Sequence, residues 1–287
     1  MRGSHAPSLR TLVRRALAEA GVPAKAHLLC ACSGGPDSNA MLSALASLRA
    51  DCDLSLSAMG VDHGLRPEAA SELAVAAALA ADLSVPFATK RVALERGSNL
   101  MARARAARYE ALRAERGRIG ASFIATAHTA DDRAETVLLR LLRGSGAHGL
   151  GVLPPLDGDL LRPLVRARRS DVERQLERKK LPSASDPSNL DTRFVRVRVR
   201  LELLPLLSSL SPRIVETLCR LADELWLGRG ATQPMSPLGR RQREALLQGV
   251  SLRGQGRVRT AESKEVLARL IGGDLVVTEV PSARKRR

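Results

Sequence analysis

Aromatic side chains are nearly missing: one Trp, one Tyr and three Phe in 287 residues. Binding of single-stranded nucleic acid on a platform of stacked rings needs more of them, so that mode is disfavoured. Cysteine is equally sparse. Cys30, Cys32, Cys52 and Cys219 form no Cys-x-x-Cys pair and no His/Cys cluster of zinc spacing, which points to reduced packing residues of a cytoplasmic protein rather than to metal or redox chemistry. No apolar run approaches the roughly 18 uncharged residues of a membrane span, and the first residues lack the apolar region of a signal peptide. No internal repeat is present. Negative charge is also in deficit: 30 Asp and Glu against 46 Lys and Arg leave a net charge of +16. That surplus favours a polyanionic partner, and a folded RNA gripped by its phosphates suits it better than a ring-stacked strand. An arginine-rich composition throughout the chain is the competing explanation.

The most informative segment is Ser33-Gly34-Gly35-Pro36-Asp37-Ser38. It follows the apolar run Leu28-Leu29-Cys30-Ala31 and precedes the helical pattern Ala40-Met41-Leu42-Ala44-Leu45. Two glycines and two hydroxyls delivered by a strand to a helix N-terminus suit a phosphate, because backbone N–H groups converge there without a Cβ in the way and the helix dipole adds positive charge. No Gly-Lys-Ser/Thr follows, so this is not a Walker A loop. Asp37 instead sits where a carboxylate could hold Mg²⁺ against the phosphates. The segment resembles the pyrophosphate loop of the N-type ATP pyrophosphatases, which implies ATP as substrate and its cleavage to AMP and pyrophosphate.

Strands and helices alternate through the first half of the chain. Helix is expected over 9–20, strand over 27–32, helix over 39–49, strand over 54–61, helix over 68–83, strand over 85–92, helix over 100–116, strand over 122–127 and helix over 131–143. This spacing predicts an α/β fold with a doubly wound parallel sheet, whose ligands lie outside the carboxyl ends of the strands. The loop after Cys32, the turn at Asp62 and the segment after Ala127 all fall at that edge. Gly144 to Gly151 reads as a flexible connection, 168–180 as a highly charged helix, Asp186 to Asn189 as a turn, and Arg193 to Leu207 as an arginine-studded helix. A further helix starts at Pro212 and runs to about Leu227. The Gly228–Pro237 cluster reads as a linker. Beyond it, one or two helices, a short strand at Leu275–Val280 and the basic tail Arg284–Arg287 complete a small, mainly helical C-terminal region. The expected division is 1–215, with its core at about 24–207, and 216–287.

Ala125 to Thr136 begins at a strand end and runs into a helix. Asp132 and Glu135 are three residues apart and share a helix face at a dipole-positive N-terminus. Two carboxylates there can hold a metal or an incoming ammonium group; alternatively they cap the helix, with Asp131 at the N-cap. Further motifs keep order along the chain: Val61-Asp62-His63-Gly64-Leu65-Arg66, Arg105-Ala106-Ala107-Arg108-Tyr109, Leu142-Arg143-Gly144-Ser145-Gly146, Asp186-Pro187-Ser188-Asn189, and Arg196-Val197-Arg198-Val199-Arg200 with Leu204-Pro205. Together with the phosphate loop, this series resembles the tRNA(Ile)-lysidine synthases over about residues 26–207, and residues 238–273 resemble, more weakly, a short form of their helical C-terminal domain.

The resemblance implies an adenine nucleotide alpha hydrolase-like fold. It implies a ligase that uses ATP to adenylate the C2 carbonyl oxygen of the wobble cytidine of a CAU-anticodon tRNA(Ile), after which free L-lysine attacks C2 and expels AMP. Ser33, Gly34, Gly35, Pro36, Asp37 and Ser38, with Arg105 and Arg108, then bind ATP, and Asp37 holds Mg²⁺. Asp132 and Glu135 take the lysine ammonium. Arg196, Arg198 and Arg200 contact phosphate or the lysine carboxylate, or form a solvated basic face. His63 and His128 orient substrate or handle protons, or are structural histidines at strand ends. Asp37, Asp132, Glu135 and Arg105 are the expected catalytic group, and the C-terminal region is expected to bind tRNA. A homodimer is compatible with the resemblance.

Four positions depart from that family's pattern: Thr129 replaces the second histidine of a pair, Arg133 a glutamine, Val197 an asparagine and Met101 an acid. Arg133 is expected to put a cation beside Asp132 and Glu135, in competition with lysine. Two other readings are a tRNA thiolation enzyme of the same superfamily, against which the missing Cys-x-x-Cys weighs, and a degenerate homologue that binds tRNA without catalysis, against which the intact Ser33–Ser38 loop weighs.

Overall fold

The computed structural model describes residues 6–64, 68–93, 99–184, 191–231, 255–259, 265–271 and 274–279. Several expected features lie outside these residues: Leu65 and Arg66, the Asp186–Asn189 turn, the linker beyond 231 and the basic tail, and residues 238–254, where the C-terminal region was expected to begin.

Strand β1 (His27–Ala31) is the axis of a six-stranded sheet. Its side chains alternate between two apolar layers: Leu28 and Cys30 enter one, and Leu29 enters the other. A strand buried on both faces belongs at the centre of a parallel sheet. β2 (Ser55–Asp62) pairs parallel on one side and β4 (Phe123–Ala125) on the other. β3 (Phe87–Arg91) lies outside β2. Outside β4 runs an added hairpin, β5 (Leu156–Asp157) and β6 (Leu160–Leu161), with β6 parallel to β4 and β5 antiparallel at the edge. The sequence reading had no strands here; two-residue strands fall below any period-two signal.

The order β3-β2-β1-β4-β6-β5 makes the chain leave β1 in one direction and return on its other side as β4. This reversal opens a crevice at the carboxyl ends of β1 and β4, the place where doubly wound sheets hold ligands. The crossovers are α2 (Pro36–Ala46), α3 (Ala69–Asp82) and α4 (Leu100–Arg118). α1 (Leu9–Glu19), α2 and α7 (Arg169–Lys179) share the larger core with one sheet face, while Tyr109 and Leu112 of α4 pack with Leu29, Met59 and Ile124 on the other. With so few aromatics, leucine, alanine and methionine fill both layers.

After the sheet, α5 (Ala130–Leu142) packs Ala130, Ala134 and Val137 against Val215, Leu218 and Ala222 of α10 (Ile214–Ala231). The short α6 (Ala147–Leu150) lies within the stretch expected to be a flexible connection. The expected arginine helix is three pieces: α8 (Val195–Arg198), a π-helical turn over Val199–Leu203, and α9 (Leu204–Leu210). Pro205 explains the break, because it has no N–H to donate back to the preceding turn. α10 continues to Ala231, into the residues read as a linker, and the first compact unit spans Met1–Trp226.

The second unit is Leu227–Arg287. Among its described residues beyond 231, β7 (Gln255–Arg259), β8 (Glu265–Ile271) and β9 (Asp274–Glu279) form an antiparallel sheet in that order. Ile271 pairs with Asp274 across Gly272-Gly273, a two-residue hairpin signal that helix periodicity obscured.

Gly34 is fixed by backbone geometry. Its φ is +83°, and an added Cβ would lie 2.0 Å from the carbonyl oxygen of Glu72 on α3. Gly34→Ala is expected to cost about 3 kcal/mol or more, through left-handed strain plus a backbone clash. Gly21→Ala is the control, with φ +65° but no atom within 4 Å, and should cost about 1 kcal/mol. Urea melts of both variants check the difference.

Candidate active site

The loop after β1 is held from behind. The carbonyl of Gly34 accepts from the Ala184 amide at 2.9 Å and from Asn39 Nδ2 at 3.2 Å, and Asn39, wholly buried, also donates to Pro182 O at 2.8 Å. In a trans peptide the next N–H points opposite to the carbonyl, so tying Gly34 O inward turns Gly35 N–H outward. Ser38 Oγ donates to Gly35 O at 2.9 Å and accepts from Ser33 N–H at 3.3 Å. Gly35 is the N-cap of α2 and Pro36 opens the helix, so the helix dipole ends in this loop. Asp37 stands in the first turn. Burial pushes its carboxyl up to about 6, and the charge of Asp132 adds to that, while Arg169 and Arg200 pull it back. It is therefore an anion with too little compensation.

The loop after β4 supplies the opposite wall. Thr129 caps α5: its Oγ1 accepts from Asp132 N–H at 3.2 Å, and Asp132 Oδ2 accepts from Thr129 N–H at 2.9 Å. This reciprocal pair leaves Asp132 Oδ1 facing Arg196 Nη2 at 3.1 Å. Glu135, one turn on, has no solvent exposure. Its carboxylate accepts from Arg196 Nε at 3.0 Å and from Arg200 Nε and Nη2 at 2.7 and 3.0 Å. Arg169 Nη2 lies 3.9 Å from both Asp132 and Glu135. Burial would raise the Asp132 carboxyl, but the Thr129 N–H, Arg196 and Arg169 together hold it below the usual range.

The remaining expected residues divide. His128 is half-buried beside Asp132, with Nδ1 3.1 Å from Thr126 Oγ1; loss of water around the ring drives its pKa far down, so it is a neutral imidazole. His63 follows β2, and burial, then Arg108, lower its pKa too; its Nδ1 and the Nε of Arg108 are buried without a hydrogen-bond partner. Arg105 donates to the Tyr109 hydroxyl at 3.3 Å, and Arg105, Arg108 and Arg113 stand 5.1, 5.3 and 5.8 Å from that ring's centre. Arg198 is not in the cluster: it pairs with Glu202 at the surface. Sequence reasoning missed Arg169, hidden among the charges of α7. It also missed Asp131, which accepts from Arg169 N–H at 2.8 Å and from the Arg168 guanidinium, fixing α7 against α5.

Residues 8–207 match the model of the PP-loop domain. The tRNA(Ile)-lysidine synthase of Thermobifida fusca is 40% identical over 219 residues, 76% of this chain and 67% of that protein. The chain belongs to the tRNA(Ile)-lysidine synthase family of PP-loop proteins. The synthase of Rhodopseudomonas palustris is 43% identical over 189 residues, 63% of this chain and 54% of that protein, so the chain spans about half to two thirds of these curated relatives. In fold it is similar to the U34-tRNA thiolase NcsA of Methanococcus maripaludis, solved with its [4Fe-4S] cluster, at TM-score 0.67 and 16% identity over 81% of this chain and 80% of that one.

Against the lysidine synthase pattern, the four departures have physical readings. Thr129 is the helix cap just described. Val197 is buried, and Met101, 77% exposed, lies away from the acidic pair on the surface of α4. Arg133 corrects the expectation: its side chain is wholly buried and turned away from Asp132 and Glu135, with Nε donating to Val152 O at 2.8 Å and Nη1 2.7 Å from Asp223 of α10. The cations that do meet the acidic pair are Arg196, Arg200 and Arg169.

Two predictions follow from these charges. Since Asp37 has its folded pKa above the ordinary carboxylate value, its ionisation opposes folding; the penalty is absent in acid, grows between about pH 4 and 6, and is complete above that. Asp37→Asn should therefore stabilise the ligand-free protein by roughly 1–2 kcal/mol near pH 7.5 and by almost nothing near pH 4, read from urea melts at both values. Asp223→Ala strands the buried Arg133 guanidinium and should cost about 2–3 kcal/mol, with most of it restored by adding Arg133→Met. A double-mutant cycle on thermal melts measures that coupling.

Proposed function

We propose that the chain joins free L-lysine to C2 of the wobble cytidine of a CAU-anticodon tRNA(Ile), with ATP cleaved to AMP and pyrophosphate. The observation that carries this reading is one crevice with a phosphate-binding helix N-terminus on one wall and, on the other, a buried carboxylate pair, Asp132 and Glu135, of the kind that holds an ammonium. The names of the relatives support the RNA and the product.

In the first step the C2 oxygen attacks the α-phosphorus and pyrophosphate leaves. The outward amide of Gly35, the α2 dipole and Arg105 and Arg108 stabilise charge on the phosphates. Asp37 is suited to Mg²⁺, which commonly takes one or two carboxylates with the rest of its shell from phosphates and water. Its raised pKa marks an anion that a cation at the loop would relieve. Bound there, Mg²⁺ would neutralise charge on the pyrophosphate. In the second step Asp132 and Glu135 hold the lysine side chain by its ammonium; the amine, after losing a proton, forms the C2–N bond and AMP departs with the oxygen. Neutral His128, against Asp132, orients that carboxylate or the substrate.

The acceptor arm is assigned to the second unit, and a homodimer and a cytoplasmic location belong to the same proposal. Among the described residues no helix is long and apolar enough to cross a membrane. The thiolation reading finds little support, because Cys30, Cys32 and Cys219 are buried packing residues and burial pushes the Cys32 thiol to about 12.

Incubation with ATP, Mg²⁺, radiolabelled lysine and an unmodified tRNA(Ile) transcript should leave label on the RNA. The label should disappear when the anticodon C becomes U, and fall by about 100-fold or more in Asp37→Ala. Pyrophosphate release without label transfer would point to another amine or another RNA.

A further inference from the structure

The carboxylate pair meant for lysine is already filled. Arg196 bridges both acids, 3.1 Å from Asp132 Oδ1 and 3.0 Å from Glu135 Oε2, and Arg200 closes the rest of Glu135. Counting Asp37, three carboxylates face three guanidinium groups, those of Arg169, Arg196 and Arg200. The set is neutral when every carboxylate is ionised. An added ammonium would be a fourth cation among three acids, and it would have to displace a charge-assisted hydrogen bond to reach either one. A nucleotide triphosphate reverses the balance: it brings several negative charges to the loop at Asp37, on the side from which Arg200 is already felt. The guanidinium groups differ in how firmly they are fixed. Arg200 is 19% exposed and bidentate on Glu135, whereas Arg196 is 44% exposed, with one nitrogen on each acid. Of the two that hydrogen-bond the acids, Arg196 is the freer to turn.

We propose that Arg196 is an internal stand-in for the lysine ammonium, and that it leaves Asp132 and Glu135 for the nucleotide phosphates, so that the amine site opens only when nucleotide is bound. This rests on the lysine reading of the preceding subsection. Energetically, lysine affinity without nucleotide is reduced by the fraction of molecules in which Arg196 is off the acids, and the coupling is reciprocal: lysine tightens nucleotide by the same factor. The arrangement also keeps the buried Glu135 paired at every stage, first by two arginines and then by Arg200 and the substrate, so no stage leaves that carboxylate alone. Arg196 is in this sense a positioning residue that sets the order of binding.

The test is lysine binding measured by calorimetry on the full chain, with and without α,β-methylene-ATP and Mg²⁺. The wild type should bind lysine about 10- to 100-fold more tightly with the nucleotide. Arg196→Gln should bind lysine without nucleotide nearly as well as the wild type does with it, and its coupling factor should fall towards one. Arg196→Lys, which keeps a cation on the acids, should restore most of the coupling. A merely structural role would weaken lysine binding in both states, without changing their ratio. Lysine binding in the wild type that is indifferent to nucleotide, or full coupling in Arg196→Gln, overturns the proposal while leaving the lysine reading intact. No lysine binding to the wild type under any condition, including with tRNA present, overturns both.

Discussion

A carboxylate with no solvent exposure, Glu135, is the constraint around which the site is arranged. Removing such an ion from water costs several kcal/mol, and only close, well-directed partners offset it. The partners come from sixty and more residues later in the chain, Arg196 and Arg200, so the burial of Glu135 on α5 requires α8 and the π-helical turn to dock there. The same docking brings Leu203, Leu204 and Leu207 onto the apolar face of α5 and α10. Charge pairing and hydrophobic packing therefore act on one segment, and the second wall of the crevice cannot form without both.

Helix α5 carries opposite ionic demands on different faces. Asp132 and Glu135 look into the crevice, while Arg133 between them is buried towards α10 and Asp223. Asp223 also accepts from Arg166, which in turn reaches Glu19 of α1. The result is a chain of ion pairs from the first helix, through the segment after β6, to the last helix of the unit, with α5 in its path. The placement of Asp132 and Glu135 is thus braced by residues outside the crevice, which is the usual reason that precise placement survives in a loop-built site.

Much of this was readable in the sequence where chemistry and local geometry coincide. The alternation of strands and helices up to Leu142 and the loop from Ser33 to Ser38 each carry a local signal, period or glycine pair; a cap at the start of α5 was legible too, but Thr129 and not Asp131 forms it. Long-range pairings carried none. Helical spacing sets Arg196 and Arg200 on one face and Arg198, which pairs with Glu202, on another, but nothing local says which face meets the acids; nor does the position of Arg133, next to two acids, reveal a side chain pointing the other way. While β9 falls on the strand expected at Leu275–Val280, the β5–β6 hairpin and strands β7 and β8 were missed for a different reason. Their turn signals, Gly158-Asp159 and Gly272-Gly273, are clear, but the flanking strands are too short, or too rich in Leu, Ala and Arg, to outweigh a helical reading.

The π-helical turn at Val199–Leu203 makes this part of the chain sensitive to length as well as to composition. A wider turn absorbs one residue that an α-helix would not, and it lets the arginines before and within it address α5 while the leucines after it address the core. Deleting a single residue there would close the wide turn into plain α-helix, leaving the flanking residues near their present faces but redirecting the side chains within the turn, Arg200 among them. Glu135 would then lose the bidentate guanidinium that offsets its burial. The width of this turn, and not the arginine alone, fixes how that carboxylate is paired.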